Sequence, residues 1–212
     1  MELLAAFVDL VLNLDRHLVL MVEQYGAWIY AILFAVIFSE TGFVVTPFLP
    51  GDSLLFVAGA VAATGGMDVH LLVVLLILAA VLGNSVNYAI GRWLGRHFFT
   101  NRGSRWLNPA HLEKAHAFYE RHGGKAVVIS RFLPIVRTYI PFVAGMGAMD
   151  PGRFTAFNVG GAVLWVASLC YLGYFFGNIP WIRGNLSAII LAIIAVSILP
   201  LVAAWIRSRL SK

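Results

Sequence analysis

Four charged residues fall inside two apolar, proline-broken stretches of the chain: Glu40 and Asp52 in the first, Arg131 and Arg137 in the second. Charge placed among apolar residues at bilayer depth is expensive unless it is paired or used. The types suggest a use. Arginine offers a planar fork of donors that grips phosphate or carboxylate at two points, so Arg131 and Arg137 are the candidate binders of an anionic headgroup. A carboxylate drawn out of water takes up a proton more readily, so Glu40 and Asp52 are the candidates for proton coupling or for gating. The competing reading is structural: two salt bridges that lock the broken stretches together and hold no ligand. A buried pair of that kind is weak support for a stability role, because desolvation can outweigh attraction.

Other chemistry is poorly represented. The six histidines form no HExxH pattern, and His111, His116 and His122 do not share one helical face, so no metal site is expected. No P-loop, dinucleotide fingerprint or nucleophile elbow is present, which leaves no expected cofactor and no catalytic residue. The chain is expected not to be an enzyme. Cys170 is a single cysteine in an apolar segment and reads as a small buried hydrophobe. Thr46, Ser53 and Thr138 are placed either to assist a headgroup or to satisfy broken backbone. Trp28, Trp93, Trp165, Trp181 and Trp205 read as interface or packing residues.

The elements that position these groups follow from composition. Of 212 residues, 60% are hydrophobic and 12% charged, about half the charge of an ordinary soluble domain. Lipid must therefore cover part of the surface. No continuous basic face is visible, so nucleic acid is not an expected partner. The start carries Glu2 and Asp9 in place of a basic region, and no cleavable signal peptide is expected. Crossing a ~30 Å hydrocarbon core takes ~20 apolar residues. Three uncharged runs are long enough: 69–91, 154–182 and 184–206. Asn84 and Asn87 inside the first should face protein or water.

The broken stretches are too short on either flank to cross. Residues 27–39 precede Glu40; Pro47, Pro50 and Gly51 interrupt the run; Ser53 to Ala63 follows. Lys125 to Met149 repeats the design, with Pro134 and Pro141 as its breaks. Each is expected to be a re-entrant hairpin, since irregular backbone at membrane depth is tolerated only beside protein or a wet cavity. Seven of the fifteen basic residues lie from Arg92 to Lys125, and Arg207, Arg209 and Lys212 close the chain. Both clusters read as cytoplasmic, so the C-terminus is expected inside.

The halves resemble each other. Gln24-Tyr-Gly26 precedes Phe48-Leu-Pro50 and Val57-Ala-Gly59; Arg121-His-Gly123 precedes Phe132-Leu-Pro134 and Val143-Ala-Gly145. Gly83, Asn87, Gly91 and Gly95 form an i, i+4 ridge for close helix packing, with Gly173 and Gly177 the counterpart in the second half. The predicted fold is all-α: a polytopic membrane protein with two inverted repeats, each a broken hairpin plus a transmembrane helix, together with interfacial amphipathic helices. The expected organisation has an N-terminal amphipathic or anchoring segment at 1–26. A first repeat at 27–95 holds the hairpin 27–63 and the span 69–91. A cytoplasmic loop at 96–124 carries an amphipathic helix at 109–122. A second repeat at 125–182 holds the hairpin 125–149 and the span 154–177. A C-terminal span and basic tail at 184–212 complete it. The small-residue ridges would also allow a homodimer.

Four motifs together carry a resemblance to a known family: Phe38-Ser-Glu-Thr-Gly42, Pro47-Phe-Leu-Pro-Gly-Asp-Ser53, Gly83-Asn-Ser-Val-Asn-Tyr88 with Gly91-Arg92, and Ser130-Arg-Phe-Leu-Pro-Ile-Val-Arg137 with Pro141-Phe-Val-Ala-Gly-Met-Gly147. In combination and order they resemble the DedA (VTT-domain) family of bacterial membrane proteins, in particular its founding subgroup. The family's two acidic and two arginine positions match Glu40, Asp52, Arg131 and Arg137. Asn84 departs from the pattern, since relatives often carry an acid there. The resemblance implies a bacterial inner-membrane location. It also implies membrane-lipid transport dependent on the proton motive force, with a polyprenyl phosphate such as undecaprenyl phosphate returned from the outer to the inner leaflet. The expected partners are therefore membrane lipids and protons. The rivals are a proton-coupled exporter of small cations, disfavoured by two buried arginines, and a non-transporting structural membrane factor.

Overall fold

The computed structural model describes residues 14–43, 51–98, 120–133 and 136–179. All regular structure among them is helical. In chain order the elements are α1 (Leu14–Tyr25), α2 (Trp28–Gly42), α3 (Gly51–Ala62), α4 (Val69–Phe98), α5 (Lys125–Ile129), a 3-10 turn (Ser130–Phe132), α6 (Val136–Met146) and α7 (Pro151–Gly177). The chain divides into two compact units. The first comprises Met1–Ile32, Pro50–Val74 and Val166–Lys212; the second comprises Leu33–Leu49 and Leu75–Trp165.

Among the described residues two helices are long and apolar enough to cross a membrane: Val69–Leu94 and Pro151–Gly177. At 26 and 27 residues they reach ~39–40 Å, more than a hydrocarbon core requires. On α4, Leu71, Val74, Leu78, Leu82 and Val86 are exposed at spacings of three and four, an apolar stripe suited to lipid. The opposite face of that helix buries Leu72, Leu76, Ala79, Ala80, Asn84 and Asn87. Both helices begin in the same way. Asp68 Oδ1 accepts from the Leu71 N–H at 2.7 Å, and Asp150 Oδ1 accepts from the Arg153 N–H at 2.9 Å. Each aspartate satisfies a donor that the first turn leaves open. Pro151 at the first helical position of α7 gives up no hydrogen bond there.

The other helices are short. α2 has 15 residues and α3 has 12, ~22 and ~18 Å, so neither crosses alone. α3 buries every residue except Asp52, which is partly exposed. A helix apolar all round belongs inside a core. In the first unit α1 packs on α3. Gly26 ends α1 with φ +51, and Gly123 precedes α5 with φ +56. Both take the left-handed conformation in which glycine carries no Cβ penalty.

The breaks are narrower than the sequence suggests. Glu40 lies inside α2, which runs to Gly42 because no helix breaker occurs before that glycine. Gly51, Asp52 and Ser53 are the first turn of α3, not part of a broken segment. In the second stretch the break falls at Leu133, whose backbone is extended (φ −118, ψ 102). The residue before a proline is driven out of the helical region by the ring that follows. Pro141, expected to break the chain, sits within α6. Pro47, Pro50, Pro134, residues 109–119 of the expected helix 109–122, and the expected C-terminal span and basic tail at 184–212 lie outside the described residues.

One packing device occurs in each unit. In the first, a Cβ on Gly59 of α3 would fall 2.0 Å from the Cys170 carbonyl oxygen, and one on Gly173 of α7 would fall 2.0 Å from that of Phe56. In the second, a Cβ on Gly145 of α6 would fall 2.1 Å from the Tyr88 carbonyl oxygen, and one on Gly91 of α4 would fall 2.1 Å from that of Phe142. Each is a reciprocal glycine contact that brings two backbones together. The short helix supplies the same four residues both times, Phe56-Val-Ala-Gly59 and Phe142-Val-Ala-Gly145. Gly177 continues the first contact against Ala60. Gly95 follows one turn after Gly91 on α4.

Candidate functional site

The second unit concentrates polar groups where an apolar core would be expected. Its apolar part comprises Tyr88, Ala126, Val127, Ile140, Val143, Ala144, Met149 and Phe154. Tyr88 stacks on Phe154 at 4.2 Å and donates to the Met149 carbonyl. Arg92 in turn donates to the Tyr88 hydroxyl at 3.2 Å. This cluster sets α6 against α4 and α7. Beside it Glu40, Thr41, Asn84, Arg131, Arg137, Thr138 and Trp165 line a cleft of roughly 260 Å³, part of it open. It has room for about one water molecule.

Each lining group is placed by a nearby packing or capping contact. A Cβ on Gly83 would meet the Thr41 hydroxyl at 2.0 Å and the Phe38 carbonyl at 2.7 Å, so this glycine admits the end of α2 against α4. That contact delivers Glu40, which is almost fully buried. Thr41 donates back to the Ile37 carbonyl at 2.8 Å. Asn87 donates to the Thr41 carbonyl at 3.3 Å and the Thr138 carbonyl at 2.8 Å. The first is a helix-end carbonyl without an intrahelical partner, and the second lies beside the hydrogen bond that Pro141 cannot make. Asn87 thus ties α2 and α6 to the spanning helix.

Glu40 and Arg137 form a buried salt bridge, with side chains 1% and 10% exposed. Arg131 is treated differently. Its Nη2 donates to Asn158 Oδ1 at 2.7 Å, with longer contacts to the Asn158 carbonyl at 3.4 Å and the Ala80 carbonyl at 3.5 Å. Its guanidinium lies over the Trp165 ring at 5.7 Å, and that of Arg137 at 5.8 Å. Distances of this kind permit cation–π attraction. Among the described residues no carboxylate pairs with Arg131. Its Nε, the Thr138 hydroxyl and Asn87 Oδ1 are buried without a hydrogen-bond partner. Two arginines and one glutamate leave the cleft with one net positive charge; of its lining atoms, Arg131 Nε and the Thr138 hydroxyl can donate a hydrogen bond and Glu40 Oε2 can accept one. Such a site suits an oxyanion.

The structure therefore brings together Glu40, Arg131, Arg137 and Thr138. Asp52 and Ser53 belong to the first unit, in the first turn of α3. The cleft's described lining comes from the second unit alone. Sequence reasoning missed Asn158 and gave Trp165 only a packing or interface role. Asn158 is fully buried and bonds Asn84 at 3.2 Å, the Val81 carbonyl at 3.0 Å and Ser85 at 3.3 Å. A buried asparagine within an uncharged 29-residue run was the available signal.

The chain matches the VTT domain family over residues 49–175. It is 53% identical over 211 residues to "Protein DedA" of Escherichia coli (strain K12), covering 99% of this chain and 96% of that protein. It is 42% identical over 171 residues to an uncharacterized membrane protein of Mycobacterium leprae, covering 80% and 77%. "Inner membrane protein YqjA" of Escherichia coli (strain K12) is 41% identical over 155 residues, covering 72% and 69%. No solved structure matches it.

Proposed function

The chain belongs to the DedA family of VTT-domain membrane proteins, and from that premise we propose that it is a lipid translocase that carries a polyprenyl phosphate, undecaprenyl phosphate in particular, from the outer to the inner leaflet of the bacterial inner membrane. The observation that carries this reading is Arg131. It is a buried guanidinium with no paired carboxylate among the described residues, and its Nε lacks a partner. An uncompensated buried charge is costly, and a phosphate oxyanion would satisfy it. Thr138 offers a second buried donor in the same cleft. Arg137 would add a further contact when its partner Glu40 takes up a proton, which links headgroup binding to the proton gradient. Asp52 would serve with Glu40 in proton coupling or in gating the hairpins. The two hairpins enter from opposite faces as inverted repeats. The isoprenoid tail stays in lipid against stripes such as that of α4. The reaction is movement without bond breaking.

The test is reconstitution of the full chain in vesicles holding a fluorescent polyprenyl phosphate, with leaflet position read by a membrane-impermeant quencher. Wild-type protein should accelerate movement of the phosphate, and Arg131→Gln should abolish the acceleration. Cation flux without lipid movement, or neither activity, would overturn the reading.

A further inference from the structure

We propose that one face of α7, formed by Asn158, Gly161 and Trp165, is the positioning element for Arg131 and determines which of its donors a phosphate meets. The inference rests on the phosphate-binding reading above. Positions i, i+3 and i+7 of a helix share one face. Along it, each residue meets a different part of the same arginine. Asn158 Oδ1 takes the Nη2 donor at 2.7 Å. Gly161 leaves room for the stem, since a Cβ there would stand 3.2 Å from both Cδ and Nε. Trp165 presents its ring to the guanidinium at 5.7 Å.

The result is an asymmetric arginine. All its hydrogen bonds to described residues run through Nη2, while Nε stays buried and unpartnered. A guanidinium free to rotate would share its donors among every nearby carbonyl. Held by the Asn158 amide and pressed on the indole, it keeps the Nε side for the ligand. Asn158 is itself fixed: its Nδ2 donates to the Val81 carbonyl and to Ser85 on α4. That defines which amide atom faces Arg131. A site prepared in this way binds without first ordering a long side chain.

Two adjacent glycines provide the test. Gly160 has nothing within 4 Å of a built Cβ, whereas Gly161 faces Arg131. Alanine at either position changes helix propensity equally, so the difference between the two reports the contacts that Gly161 alone faces, with Arg131 and with the Val128 Cα, each 3.2 Å from a built Cβ; the Arg131 signal separates the first from the second. Purified full-length protein in lipid nanodiscs is titrated with farnesyl phosphate, with inorganic phosphate and with farnesol. Arginine 15N signals are followed in parallel, the Arg131 Nε–H being assigned by its loss in Arg131→Lys. Farnesyl phosphate should bind and shift that signal; farnesol should do neither. Gly161→Ala should weaken binding about tenfold, the worth of one well-aligned hydrogen bond. It should also move the Arg131 signal before any ligand is added, with the melting temperature held. Gly160→Ala should match wild type in all three readouts. Asn158→Leu should move the same signal and weaken binding at least as much. If inorganic phosphate reproduces the shift and the ranking, the free anion is the ligand and the positioning role stands. If wild type binds farnesyl phosphate while Gly161→Ala and Gly160→Ala are indistinguishable, the positioning role is wrong and phosphate binding survives. If wild type binds neither phosphate, both readings fall together.

Discussion

The helix crossing in the first unit and the crossing in the second share their backbone and differ in their chemistry. Gly59 and Gly173 meet the carbonyls of Cys170 and Phe56, while Gly145 and Gly91 meet those of Tyr88 and Phe142, all at 2.0–2.1 Å from a built Cβ. The spanning helices carry their aspartate caps at matching places, Asp68 and Asp150, each 20 residues before the carbonyl that the partner helix's glycine touches. Yet of the nine buried polar or charged residues described, eight lie in the second unit and only Ser53 in the first. Around the first crossing Leu54, Leu55, Val57, Val61 and Val166 are buried. Around the second are Glu40, Asn84, Asn87, Arg131 and Asn158. Close glycine packing is therefore a scaffold requirement that the sequence meets twice, whereas the site is built once. Buried polar groups need partners, and among the described residues only the second unit supplies a connected network of them.

The largest expected effect tests whether the chemistry is confined in this way. Arg131→Gln in the second unit should weaken farnesyl phosphate binding about a hundredfold, the scale of a lost charge-assisted hydrogen bond of up to ~3 kcal/mol. Asp52→Asn in the first unit should leave that affinity within about twofold. Equal losses from both, read by titration in nanodiscs, would mean that the binding chemistry is not confined to one unit.

Next come the glycines. Gly59→Ala and Gly173→Ala in the first unit, and Gly91→Ala and Gly145→Ala in the second, each force a methyl against backbone. Overpacking of this kind costs about 1–3 kcal/mol. All four should lower the melting temperature in detergent by similar amounts. Only the second pair should also weaken phosphate binding, because α6 carries Arg137 and Thr138. A first-unit pair that melts like wild type would show that the two crossings are not equivalent.

A smaller loss is expected at Asn87. Asn87→Ala removes both donors that hold the Thr41 and Thr138 carbonyls, which should cost about 1–3 kcal/mol. Thermal unfolding checks it, with Ser85→Ala as a milder comparison on the same helix.

The legibility of the molecule follows the same division. The two spans at 69–91 and 154–177 could be read from uncharged run length alone, because lipid imposes that length. The structure starts one at Val69 and the other at Pro151. Glu40, Arg131 and Arg137 were marked by the cost of burying charge. The limits of the broken stretches were not legible. Proline signals a break but does not say how far it spreads, so Glu40 and Asp52 were placed in irregular backbone when both are helical. Pro141 is held within α6. Nor could sequence separate Glu40 from Asp52, since membership of a compact unit depends on tertiary contacts. Asn158 was overlooked because a single amide has no periodicity. Its importance comes from three partners on α4 and from Arg131.

The smallest prediction concerns the caps and bears most directly on the likeness of the two units. Asp68→Ala and Asp150→Ala each remove one side-chain acceptor from an exposed helix start. A lost cap costs typically ~1 kcal/mol. The two environments are not identical. The Asp68 N–H also donates to the Tyr30 hydroxyl at 2.7 Å, a backbone contact that alanine keeps, whereas Pro151 already presets the first turn of α7. Asp150→Ala should therefore lose slightly less than Asp68→Ala, and neither should change phosphate affinity. Paired melting curves with and without farnesyl phosphate give both quantities at once. The ligand-induced rise in melting temperature should be the same in each variant as in wild type. A cap substitution that removed that rise would mean that the helix starts bear on the site, and that the division between shared scaffold and single site had been drawn in the wrong place.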